Sequence, residues 1–303
     1  MSIHAGMLAC SAFDRSISIY LLTLETNHVL TDRRIGNSPR LRIAASSYLN
    51  SAPLIWSFLH GSMRGRIDFI EAVPARCADL LSQSQVEAAL VPVIEYQRIP
   101  AGLLVPDVCV GSKKEVRSVV LVSRHAELHQ IRSVALDESS RTSATLVKVI
   151  FREFLEHEPT WTTHSPNLQE MLEQNDAALI IGDPGMVFPR TGLKVWDMAQ
   201  LWRNYTRLGF VFAMWMVRDE AIQDARHIDF AAACNEGLGM KDQIIAQYEK
   251  LLGLSRQSLK EYLDENICFR LDDELQSGLE LYFQLAHKHG LLSELKPLKT
   301  LKP

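Results

Sequence analysis

Five successive residues, Ser139-Ser140-Arg141-Thr142-Ser143, put four hydroxyls and one guanidinium at a single point of the chain. They follow an apolar run over residues 133–136 that reads as a strand, and precede a pattern over residues 144–156 that reads as an amphipathic helix. At a helix start, hydroxyls satisfy backbone N–H groups that have no intrahelical partner. Those N–H groups, the positive end of the helix dipole and an arginine together also make a seat for a carboxylate or phosphate. Four hydroxyls exceed what one cap uses, and an arginine at the positive helix end opposes the dipole. The expected reading is an anion seat built from Ser140, Arg141, Thr142 and Ser143, with plain capping as its alternative.

A second candidate is Asn50, which follows a short buried strand over residues 41–45 and stands before a helix over residues 52–60 with Pro53 in its first turn. An amide is not basic at neutral pH, so Asn50 can bind and orient but cannot remove a proton. Asp183, in Gly182-Asp183-Pro184-Gly185, is a natural turn residue and also a candidate ligand contact. Glu95 pairs with Arg98 or, like Asp183, serves as a base at a strand end. His287 and His289 lie two apart on a helical pattern and so point to different faces, which argues against a metal site. Trp196, Trp202 and Trp215 sit at apolar spacing and read as core.

The elements that must hold these residues alternate. Strands over residues 67–73 and 86–91 enclose a short helix over residues 75–82, and the pattern repeats as strand 133–136, helix 144–156, strand 161–163, helix 168–174 and strand 177–181. Such alternation implies parallel βαβ units, whose ligands sit beyond the carboxyl ends of the strands. Runs over residues 105–110 and 116–123 read as strands, the second crossing into another module, and the very apolar run over residues 210–217 carries the chain back. The expected organisation is a non-core extension (1–40), one lobe from residues 41–117 with 217–303, and a second lobe from residues 118–216. Residues 228–292 read as helical, with Gly237, Gly253 and Gly290 as stops.

Length and composition bound the function. At 303 residues, 47% of them apolar and 22% charged, the chain suits a two-domain globular protein. A net charge of −4 with no basic stripe gives no support to nucleic-acid or membrane-surface binding. The five cysteines are scattered without metal-ligand spacing, as in a reduced cytoplasmic protein. No apolar run is long enough to span a bilayer, and no export signal is expected in the first forty residues.

Several of these stretches, in order, resemble one known family. Arg42-Ile43-Ala44, Ser47-Tyr48-Leu49-Asn50-Ser51-Ala52-Pro53-Leu54, Val91-Pro92-Val93-Ile94-Glu95-Tyr96, Arg117-Ser118-Val119, Ser139-Ser140-Arg141-Thr142-Ser143 and Ile180-Ile181-Gly182-Asp183 are similar to the chorismate dehydratases of the futalosine route to menaquinone. The resemblance implies an α/β, two-lobed fold like that of type II periplasmic binding proteins, with the site in the inter-lobe cleft. It implies dehydration of chorismate to 3-(1-carboxyvinyloxy)benzoate by a cytoplasmic enzyme, with no cofactor and no metal. Asn50 is then the catalytic, orienting residue, and Ser118, Ser140, Arg141, Thr142, Ser143 and Asp183 bind substrate. The family picture has the substrate's own enolpyruvyl carboxylate take the proton, while Glu95 and Asp183 stay open as protein bases. Ser51 stands where a threonine is usual, Arg207-Leu208-Gly209 departs from the family's approach to Phe210, and residues 1–40 have no counterpart. Two other readings are a non-catalytic receptor for a small carboxylate and the related 1,4-dihydroxy-6-naphthoate synthase. The latter depends on a histidine base, and no histidine falls in a matched stretch.

Overall fold

The computed structural model of the chain describes residues 40–301, so all but the last residue of the expected extension, Cys10 included, lies outside the described residues. Among the described residues, twelve strands form two sheets. The first contains β1 (Arg42–Ala45), β2 (Asp68–Glu71), β3 (Ala88–Pro92), β4 (Leu103–Leu104), β5 (Val108–Ser112), β11 (Phe210–Val217) and β12 (Cys268–Arg270), in the order β12-β5-β11-β3-β1-β2 with β4 beside β11. The second contains β6 (Val119–Ser123), β7 (Ser133–Asp137), β8 (Thr160–His164), β9 (Ala177–Ile181) and β10 (Lys194–Asp197), in the order β10-β6-β9-β7-β8.

The parallel βαβ expectation holds at the heart of each sheet. β1 pairs in parallel with β2 and β3, and β7 with β8 and β9. The strands that carry the chain between sheets are antiparallel to these: β11 to β3 and β5, and β6 to β9. This is the two-lobed α/β arrangement. Strand periodicity explains how the second sheet is buried on both faces. In β6, Val119 and Leu121 join the main core while Val120 and Val122 pack on the other face with Met171 and Leu172 of the Leu168–Gln174 helix. β9 divides in the same way, Leu179 and Ile181 to one side and Ala178 and Ile180 to the other.

Three boundaries differ from the sequence reading. β11 lies wholly in the first sheet, so the return falls before Phe210 and not at residue 217. The run expected over residues 105–110 breaks, because Asp107 after Pro106 adopts φ 65° and separates β4 from β5. The strand expected over residues 116–123 begins only at Val119, since Arg117 takes φ 60° while its N–H and that of Val116 donate to the Asp197 carboxylate at 2.6 and 3.0 Å. The C-terminal part is mostly helical as expected, but includes β12 on the edge of the first sheet.

Gly237 is not a helix stop. It lies inside the Phe230–Gly239 helix, and a Cβ there would stand 2.0 Å from the carbonyl oxygen of Pro53. Its lack of a side chain lets that helix back onto the Ala52–Leu59 helix, which begins two residues after Asn50. Trp202 and Trp215 are buried, and Trp196 is partly so. Among the described residues no helix is long and apolar enough to cross a membrane, and no cluster of three His, Cys, Asp or Glu side chains could hold a metal ion.

Candidate active site

Beyond the end of β1 the chain turns sharply, with Ser51 N–H donating to Tyr48 O at 2.8 Å. Within the turn Ser51 Oγ donates to Asn50 Oδ1 at 3.1 Å and lies 3.3 Å from Ser46 Oγ. With Oδ1 occupied, the Asn50 amide offers its NH2 group as a donor.

Facing this turn, β7 ends at Asp137. The Asp137 carboxylate accepts from Ser139 N–H (2.8 Å) and Ser139 Oγ–H (2.6 Å), and burial pushes its pKa up to about 6 against those bonds. The helix that follows, Thr142–Val149, starts two residues earlier than its apolar pattern suggests and gives way to a π-helical turn over Ile150–Phe154. No side chain caps it, so the plain-cap alternative fails. Instead the Ser140 hydroxyl is buried and has no hydrogen-bond partner among the described residues. Such a group costs on the order of 1–3 kcal/mol unless something else satisfies it.

Asn50 and Ser140, Arg141, Thr142 and Ser143 line one cavity of about 50 Å³. Its apolar walls include Val110, Val119, Ile181 and Phe212, drawn from both sheets. The volume holds a few water molecules at most, so a metabolite enters only if the walls part.

Other expected site residues stand differently. The two arms of the Arg141 guanidinium are taken by Asp79 (2.6 Å) and Glu95 (2.9 Å), and Glu95 also receives Arg98 at 2.8 Å. Arg141 thus ties the start of its helix to two helices of the first lobe, Pro74–Ser82 and Glu95–Arg98. Thr142 Oγ1 accepts the Ile94 N–H at 3.2 Å. Ser118 lies off the cavity wall: its neighbour Val119 lines the cavity, while Ser118 Oγ accepts the Tyr262 hydroxyl at 2.7 Å. Asp183 is likewise not part of the lining. Its Oδ1 accepts the Leu49 N–H at 2.9 Å, and burial pushes its pKa up to about 7. Tyr48, Ser51 and Gly182, which the sequence reading did not choose, do line the cavity. Tyr48 and Ser51 lie within two residues of Asn50 and Gly182 adjoins Asp183, so proximity in sequence was the available signal.

The chain is similar to known proteins both in sequence and in fold. The model of the menaquinone biosynthesis family matches residues 41–288. A curated relative, the chorismate dehydratase of Thermus thermophilus, is 30% identical over 263 residues, covering 78% of this chain and 91% of the relative. The chain belongs to the menaquinone biosynthesis family.

The match to this family begins at the residue before β1 and so excludes residues 1–40. Solved structures place the fold. Protein AF1704 from Archaeoglobus fulgidus is similar with a TM-score of 0.66 at 17% identity, covering 84% of this chain and all of that one. The Candida albicans CA3427 gene product, described as having the generic periplasmic binding protein fold, is similar with a TM-score of 0.60 at 16% identity over 88% of this chain and 98% of its own. This family member therefore has the periplasmic-binding-protein fold.

Proposed function

We propose that this protein is a chorismate dehydratase, a hydro-lyase that converts chorismate to 3-(1-carboxyvinyloxy)benzoate for menaquinone synthesis. Family membership and the Thermus relative set the reaction class. The observation that carries the reading at the site is the unpartnered, buried Ser140 hydroxyl, which lines the same cavity as Asn50 at the start of a helix.

Chorismate carries two carboxylates on and beside a ring that lacks one dehydration to be aromatic. The proton to be lost is on the carbon bearing the enolpyruvyl ether. Its electron pair spreads through the adjoining ring double bond onto the ring carboxylate, hydroxide leaves the neighbouring carbon, and proton and hydroxide together make the water released. The protein must therefore hold two anions, stabilise growing charge on one, and assist a departing hydroxyl. In our reading the free N–H groups of Thr142 and Ser143 and the Ser140 hydroxyl seat one carboxylate. The Asn50 NH2 group donates to the leaving hydroxyl or orients the second carboxylate. Val119, Ile181 and Phe212 give the ring an apolar surface that excludes water.

The described lining contains no carboxylate, imidazole or amine. That supports proton removal by the substrate's own enolpyruvyl carboxylate, and it removes the reason to assign Glu95 or Asp183 as the base. A cytoplasmic location goes with this reading, as the place where a biosynthetic enzyme meets chorismate. The test is to mix purified protein with chorismate alone and follow both compounds by chromatography and mass spectrometry. A product lighter by one water supports the reading. Chorismate that persists at high protein concentration contradicts it, and tight binding without turnover favours a receptor.

A further inference from the structure

The two residues that follow β9 in the second lobe both meet the turn that carries Asn50 in the first. Gly182 has φ 68°, and a Cβ there would stand 2.6 Å from Tyr48 Cε2, so only glycine lets that ring lie against it. Asp183, 8% exposed, accepts the N–H of Leu49, 134 residues away in sequence, at 2.9 Å. No lysine, arginine or histidine among the described residues forms an ion pair with it. A carboxyl buried without a cation is costly, and turn formation alone does not require one across a cleft. Its side chain is held by Leu49, the residue before Asn50, and the residue before Asp183 packs on Tyr48.

We infer that Gly182 and Asp183 are positioning residues for the reaction: from the opposite lobe they fix the Tyr48–Asn50 turn, and with it the Asn50 amide, without touching substrate. This rests on the dehydratase reading for its kinetic consequences and on the geometry alone for the clamp. The anion seat on the Thr142–Val149 helix does not depend on the clamp, so capture of substrate and turnover respond differently.

The test uses the full chain and the variants Asp183→Ala, Asp183→Asn, Gly182→Ala and Asp183→Ala/Asn50→Ala. Asp183→Asn keeps a side-chain oxygen for the Leu49 N–H, so kcat stays within ~3-fold of wild type. Asp183→Ala lowers kcat by ~30-fold or more with KM within ~3-fold, because a misplaced orienting group loses transition-state contacts before ground-state ones. Gly182→Ala displaces Tyr48 and lowers kcat by ~10-fold. The double variant is no slower than Asn50→Ala alone, since Asp183 acts through Asn50. Full additivity in that cycle overturns the inference. So does a rise in KM at unchanged kcat for Asp183→Ala, or an Asp183→Asn enzyme as slow as the alanine variant.

Hydrogen exchange at the Leu49 amide gives a readout independent of activity. The clamp predicts faster exchange in Asp183→Ala and near wild-type exchange in Asp183→Asn, and equal exchange in wild type and both variants overturns it. Should Asp183→Ala not fold, Asp183→Asn and Gly182→Ala carry the kinetic test. If wild type leaves chorismate intact, the reaction assignment fails while the exchange pattern still decides the clamp.

Discussion

Ser140 and Asn50 are the residues through which substrate and fold make opposite demands. The Ser140 hydroxyl is buried without a partner, so Ser140→Ala is expected to leave Tm unchanged or raise it slightly, while KM for chorismate rises by ~10-fold. A fall in Tm with KM unchanged would make the hydroxyl structural. Asn50→Ala is expected to lower kcat by at least ~10²-fold while costing no more than about 1 kcal/mol in a urea titration. The two buried aspartates make a pH prediction. Asp183 rises to about 7 and Asp137 to about 6 through burial, so the folded chain keeps protons that the unfolded chain has lost. Their contribution to stability therefore falls as pH rises from about 4 to about 7. Asp183→Asn removes one of these titrations and should gain ~1–3 kcal/mol over wild type between pH 4 and pH 8, read from urea midpoints; an unchanging difference would mean that Asp183 does not titrate there. Asn50 and the Ser140–Ser143 cluster could be found in the sequence because each follows a strand and precedes a helix. The partners of Arg141 could not, since Asp79 and Glu95 lie 62 and 46 residues away. The partner of Ser118 was equally hidden, since the Tyr262 hydroxyl that donates to it comes from 144 residues away, while its neighbour Val119 takes the cavity side.

Among the elements, the helices around Asn50 depend on one close approach. Gly237 lets the Phe230–Gly239 helix meet Pro53, so Gly237→Ala must move one helix against the other. We expect a loss of ~2–4 kcal/mol in stability, together with a lower kcat because the displaced helix begins beside Asn50. Wild-type denaturation and kinetics in this variant would contradict the packing described. Strongly periodic elements were legible: residues 168–174 and 177–181 were expected as the helix and strand that the fold contains. β10 and β12 were missed because both are short strands at the ends of their sheets, where one side is unpaired and the apolar signal is weak. The start of the Thr142–Val149 helix was misjudged because its first turn is made of hydroxyl residues that serve the cavity and not the core.

For the whole molecule, two sheets bring ends of β1 and β7 to one cavity, and the chain crosses between them at Arg117 and again before Phe210. Alternation of strand and helix was enough to anticipate two lobes with a site at the strand ends. The register of the crossing was not legible, because β11 is apolar on both faces and suits the middle of either sheet. The cavity holds about 50 Å³, so seating a guest is expected to part its walls, and the contacts of Arg141 and Gly182 with the opposite lobe are the ones such a movement would loosen. The most direct test is a crystal structure of the chain with the product, 3-(1-carboxyvinyloxy)benzoate, soaked or co-crystallised. One carboxylate is expected within hydrogen-bond reach of Ser140 Oγ and the Thr142 and Ser143 N–H groups, with the Asn50 amide on the opposite side of the ring. A product bound elsewhere, or one that leaves the Ser140 hydroxyl without a partner, would contradict it.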